Sequence, residues 1–121
     1  MNNINKIERL IDRLQVKTQT NEIHWKNSNP PNNLTAGTEE IFSLFLKSNF
    51  NGQDIGIYEK RYKYFYDHEP TSFIWDNAYG LCILQNNKVI FTYEKNSPAL
   101  AMLFEMATAQ NADIDSLISQ L

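Results

Sequence analysis

The chain has 121 residues, 42% of them apolar and 21% charged, with a net charge of −3 and a pI of about 5.3. That length suits one domain spanning residues 1–121, large enough to bury a core without staples, and the acidic balance excludes a strong electrostatic pull towards nucleic acid or an anionic membrane. Cys82 is the only cysteine, so no internal disulfide can form, and no window approaches the roughly 18 apolar residues of a membrane span.

Residues 3–20 read as an amphipathic helix. Ile4, Ile7, Leu10, Ile11 and Leu14 fall on one stripe, Asn2 or Asn3 can cap it, and the pattern fades near Gln19. Glu22 to Lys26, with Ile23, His24 and Trp25, reads as a short strand or the entry to a loop. The run NSNPPNNLTAGT at 27–38 is a loop, because Pro30-Pro31 can continue neither a helix nor a central strand.

Glu39 to Phe50 fits either a buried helical turn or a strand, and the strand is preferred, with Phe42, Leu44, Leu46 and Phe50 on one face and Ser43, Lys47 and Asn49 on the other. Asn51-Gly52 then signals a tight hairpin, and the return strand places Ile55 and Ile57 on one face. Beyond it Tyr58, Lys60, Tyr62, Tyr64 and Tyr66 alternate with Glu59, Arg61, Lys63, Phe65 and Asp67. The apolar side switches there from the isoleucines to the tyrosines, which predicts a bulge or bend near Tyr58 to Lys60. His68-Glu69-Pro70 reads as a turn.

Thr71 to Asp76 is predicted as a short separate strand with Phe73 and Trp75 on one face, followed by a turn at Asp76-Asn77. Tyr79 to Glu94 reads as a hairpin about Asn86-Asn87, two residues that tolerate positive φ. Simple pairing sets Gln85 opposite Lys88, Leu84 opposite Val89, Ile83 opposite Ile90 and Cys82 opposite Phe91. One face is then Gly80, Cys82, Leu84, Val89, Phe91 and Tyr93. The other mixes Leu81, Ile83 and Ile90 with polar residues, which predicts a central, doubly covered hairpin.

Ser97-Pro98 starts a helix, with Ser97 as N-cap and Pro98 where a missing N–H costs nothing. Leu100, Leu103, Phe104 and Ala107 form its buried stripe. After Asn111 to Asp113, Ile114, Leu117, Ile118 and Leu121 continue at helical spacing. The predicted class is α+β: an antiparallel sheet of about five strands in meander-like hairpins, packed with an N-terminal helix and one or two C-terminal helices.

No reactive constellation stands out. Neighbouring residues of a strand or turn point apart, so Asp67, His68 and Glu69 do not converge on a metal by themselves. Cys82 sits on the apolar hairpin face and reads as a buried, inert thiol. The scattered glycines form no phosphate-cradling loop. The sequence therefore predicts no catalytic residue, no metal ligand, no cofactor and no enzyme activity. The single cysteine and the absence of a signal-peptide pattern in MNNINKIERL set the cytoplasm as the expected location.

The one unusual composition is the tyrosine and lysine strand. Tyr58, Lys60, Tyr62, Tyr64, Tyr66 and Trp75 are the expected binding residues, since amphipathic rings anchor protein interfaces at low entropy cost. The expected function is a non-catalytic protein-binding module of inhibitor, immunity or adaptor type, with an unidentified protein partner, and a homo-oligomer fits the same features. The alternative is a binder of nucleotides or single-stranded nucleic acid that stacks bases on the tyrosines. Acids balance the bases around this strand, which favours the protein partner.

Overall fold

The computed structural model describes residues 3–66 and 72–111. Helix α1 (Asn3–Gln19) is followed by a two-residue strand β1 (Lys26–Asn27), a helical turn α2 (Asn32–Thr35), strands β2 (Ile41–Phe50), β3 (Gln53–Phe65), β4 (Phe73–Gln85) and β5 (Lys88–Tyr93), and helix α3 (Pro98–Gln110). The strands form one antiparallel sheet in the order β1-β2-β3-β4-β5, each paired to its neighbour in sequence. The class is α+β, as the sequence predicts. The His68 turn and the helical pattern from Ile114 to Leu121 lie outside the described residues.

Helices α1 and α3 cover one face. Ile11 and Leu14 from α1 and Leu100, Leu103 and Ala107 from α3 are fully buried against Leu46, Ile55, Ile57 and Leu81 of the sheet. The chain leaves α1 through Asn21, at φ +60, a left-handed position that asparagine tolerates. Trp25 then folds back under α1, and its indole donates to Thr18 Oγ1 at 2.9 Å. Gln110 at the end of α3 ties the same turn, donating to the Thr18 and Ile23 carbonyls and accepting from the Trp25 N–H. The opposite face holds a smaller core of Phe45, Tyr58, Cys82 and Leu84, against which Leu34 of α2 packs.

The long loop of the sequence reading thus carries α2, whose Asn33 has a specific use. Its side-chain amide donates to the Val89 carbonyl at 2.9 Å and its oxygen accepts from the Val89 N–H at 3.1 Å. This closes two backbone groups on β5, an edge strand that would otherwise invite another chain.

Four expectations are corrected. The register of β3 against β4 runs unbroken from Asp54↔Leu84 to Phe65↔Phe73, so there is no bulge at Tyr58 to Lys60. Both faces of β3 are covered at its centre, which is why isoleucines and a tyrosine are buried back to back. The bulge lies instead in β2 between Phe42 and Leu44, turning Phe42 to the Tyr58 side while Leu44, Leu46 and Phe50 keep the helix side. Nor does Asp76-Asn77 turn: both residues continue β4, paired with Tyr62 and Arg61, because the ladder to β3 overrides a local turn signal. Finally, a bulge opposite Ile83/Leu84 pushes Ile90 outward and shifts the hairpin register to Ile83↔Phe91 and Cys82↔Thr92. Phe91 and Tyr93 therefore join the helix face, and β5 is an edge strand and not a central one.

The cap of α3 is as the sequence predicts. Ser97 Oγ accepts from the Leu100 N–H at 3.1 Å and donates to Glu8 Oε2 at 3.0 Å, linking the two helices. Ser97→Ala removes both bonds from a buried site, and urea denaturation should record a loss of about 1–2 kcal/mol.

Candidate functional site

The tyrosine strand divides at Arg61, where β2 ends its pairing with β3. Inward of that point lies a closed polar cluster. Tyr58 is fully buried, its ring stacked 6.0 Å from Phe45 and laid across Gly80 of β4. The absence of a side chain at Gly80 is what admits the ring: a Cβ there would stand 2.3 Å from Tyr58 Cζ. The phenol so reaches past β4 and donates to Glu94 Oε2 at 2.5 Å, just beyond the end of β5. Gly56 does the same for Phe45, whose ring would meet a Cβ at 2.4 Å.

Lys60, one register step outward on the same face, is 8% exposed. Its ammonium sits between Glu40 Oε2 at 2.6 Å and Glu94 Oε1 at 2.8 Å. Burial pulls the lysine towards its neutral form, but hydrogen bonds to Glu40 and Glu94 and the attraction of both carboxylates outweigh it and hold the ammonium above its ordinary pKa. Burial, reinforced by the bond to Glu94, raises the Tyr58 phenol as well. A lysine held charged and a phenol held protonated are neither base nor nucleophile. Cys82 beside them is buried, and burial pushes its thiol up to about 12, which denies it the thiolate that reactivity needs.

Outward of Arg61, β3 and β4 continue alone as a two-stranded arm. Strand β5 stops at Tyr93, opposite Leu81, and β2 stops at Ile41, opposite Arg61, so among the described residues 62–65 and 73–76 have strand pairing only with each other. Large apolar side chains cover both faces of this arm in the open: Tyr64 is 53% exposed, Phe65 50%, Ile74 54% and Trp75 40%. Tyr66 at its end is exposed too. On one face Phe65 and Phe73 pack at 5.6 Å, Phe73 meets Trp75 edge-on at 6.0 Å, and the Arg61 and Lys63 cations stand 5.7 and 5.8 Å from the Trp75 ring centre. Lys63 also pairs with Glu39 at 3.2 Å. On the other face Tyr62 donates to Asp76 at 3.3 Å beside Tyr64 and Ile74.

The six residues expected to bind thus separate. Tyr58 is in the core and Lys60 is held in ion pairs, so neither is presented to a partner. Tyr62 is half-buried, whereas Tyr64, Tyr66 and Trp75 are exposed. Sequence reasoning missed Glu40 and Glu94, which lie far from Lys60 in the chain. Gly56 and Gly80 were the available signal, since a glycine inside a strand often marks close approach. It also missed Phe65 and Ile74, which enlarge the exposed apolar surface of the arm.

Among the described residues no His, Cys, Asp and Glu group is arranged to hold a metal ion, and no helix is long and apolar enough to cross a membrane. Comparison with protein-family models, curated proteins and solved structures finds no match to this chain.

Proposed function

We propose that this protein is a non-catalytic binding module that recognises a protein partner through the aromatic β3–β4 arm. The observation that carries this reading is the arm's exposed apolar surface. Tyr64, Phe65, Ile74 and Trp75 contribute to neither core, and clustered exposed apolar groups on a soluble domain mark interaction sites. Rigid rings on a hydrogen-bonded ribbon suit the role, because little side-chain freedom is lost on contact. The Tyr58–Lys60–Glu94 cluster supports it from beneath by fixing the base of the arm.

The base-stacking alternative has weaker support. Lys60 is engaged by Glu40 and Glu94, Lys63 by Glu39, and the Trp75 ring already has two cations beside it.

Replacing Tyr64, Ile74 and Trp75 together by serine tests the reading. Circular dichroism and the melting temperature should stay near those of the parent, and a partner captured stoichiometrically by the parent from lysate should be lost. Retained capture by the folded triple variant contradicts the assignment. Titration with short single strands at low salt, where electrostatic binding is strongest, should show no saturable signal.

A further inference from the structure

The two cores are closed in different ways. The larger lies between the sheet and two helices, and Ile11, Leu14, Leu100, Leu103 and Ala107 enter it fully buried. The smaller is closed by a connection between strands. Phe45, Tyr58, Cys82 and Leu84, with Phe42 and Val89 beside them, all belong to the sheet. Among the described residues Leu34 of α2 is the one apolar side chain set on them from outside it. The segment that carries Leu34 leaves the sheet edge after Ser28, whose N–H donates to the Phe45 carbonyl at 3.0 Å, and crosses to β5. From residue 29 to 36 only Pro31 is buried, while Pro30, Leu34 and Thr35 are half-buried and the others exposed. Among the described residues its one hydrogen-bonded tie to the sheet is the Asn33 side chain on Val89. Gly37 follows at φ +74 with nothing within 4 Å of its Cβ position, and beyond it Glu40 is held by Lys60.

We propose that residues 29–36 form a lid that opens as one unit over the smaller core, hinged at Ser28 and Gly37, while the sheet and both helices stay folded. Segments with few buried apolar contacts open at a fraction of the global unfolding free energy. Opening this one gives up the contacts of Leu34 and Pro31 and two exposed hydrogen bonds, and it returns backbone freedom to the whole segment. The ladders among β2 to β5 stay intact, because Asn33 bonds only β5, at the edge of the sheet. The Tyr58 amide therefore keeps its place in the ladder, and side chains alone are uncovered. The device sets when the second apolar face of the sheet meets solvent, and it is independent of what the arm binds. Cys82, fully buried in that face and the only cysteine of the chain, is a reporter of the opening and not a site.

The test uses the full chain and methyl methanethiosulfonate, a small reagent that leaves a methylthio group on an accessible thiol and releases sulfinate. Mass spectrometry follows Cys82 modification at increasing urea. The rate should be nearly flat at low urea, since the lid exposes little surface, and should turn steep only near the denaturation transition. Asn33→Ala and Leu34→Ala should each speed modification by about tenfold in the absence of urea. Ile11→Val weakens the larger core, so it should lower the denaturation midpoint. It should leave the Cys82 rate within about twofold, because α1 is folded in the open state. The Tyr58 amide should keep its slow exchange in both lid variants. A rate that climbs steeply from zero urea, or that Ile11→Val raises as much as Asn33→Ala does, means that Cys82 is reached only by global unfolding and overturns the proposal. So does an unchanged rate in the lid variants, or loss of Tyr58 amide protection together with that of the thiol. The urea dependence decides the matter on the unaltered protein should a variant not fold.

Discussion

Gly80→Ala should lower stability by about 3 kcal/mol, although it adds a single methyl group to a strand. The new Cβ would meet Cζ, Cε2 and the hydroxyl of Tyr58, each within 2.6 Å. The ring cannot yield locally, because Phe45 stacks on it and Phe42 packs at 5.3 Å. Relief requires lifting Tyr58 off the sheet, which breaks its bond to Glu94 and opens the smaller core. Gly52→Ala is the control. It has nothing within 4 Å of its Cβ position and only the cost of φ +82 in the turn, about 1 kcal/mol. Urea denaturation of both variants should separate them by about 2 kcal/mol. Equal losses would mean that the Tyr58 ring does not lie across Gly80.

The second large effect is at Lys60. Lys60→Met leaves Glu40 and Glu94 facing each other without their shared cation. Breaking a fully buried ion pair costs about 3–5 kcal/mol, and here about 2 kcal/mol is expected, because both carboxylates remain roughly a third exposed. Adding Glu40→Gln and Glu94→Gln to Lys60→Met should recover much of that loss, since no uncompensated charge is then left. The same cluster sets an alkaline limit. Lys60 and Tyr58 both have folded-state pKa values raised above their ordinary 10.5 and 10.0. Each contributes its stability in full below the ordinary value and loses it as pH rises through the raised folded-state value. Denaturation midpoints should therefore hold from neutral pH to about pH 10 and fall beyond it. In a Lys60→Met, Tyr58→Phe background that alkaline fall should be shallower.

How far the sequence carried depended on the range of the interaction. Local chemistry was legible: the α1 stripe, the Ser97-Pro98 start of α3 with its buried Leu100, Leu103, Phe104 and Ala107, and the Asn51-Gly52 turn. Register was less so, because a bulge leaves no fixed mark in the residues. Ile90 looks like any strand isoleucine, yet its displacement moves Phe91 and Tyr93 to the helix face. The tyrosine strand misled for a related reason. Its alternation is regular, so Tyr58, Lys60, Tyr62, Tyr64 and Tyr66 looked equivalent, but what covers each is decided by where β2 and β5 stop. Tyr58 and Lys60 fall where the sheet is wide and Glu40 and Glu94 close over them, whereas Tyr64, Tyr66 and Trp75 fall where only two strands remain. Neither end point is written in the strand itself.

Native-state hydrogen exchange followed along β3 and β4 tests that division most directly. Amides with few buried apolar neighbours open locally, and core amides exchange only by global unfolding. The Tyr58 and Lys60 amides should exchange with the full unfolding free energy, whereas those of Tyr62, Tyr64, Ile74 and Asp76, within the arm's own ladder, should open at a small fraction of it. Uniform protection from Tyr58 to Tyr64 would contradict the account, because the arm would then be part of the core and not a surface held out for a partner.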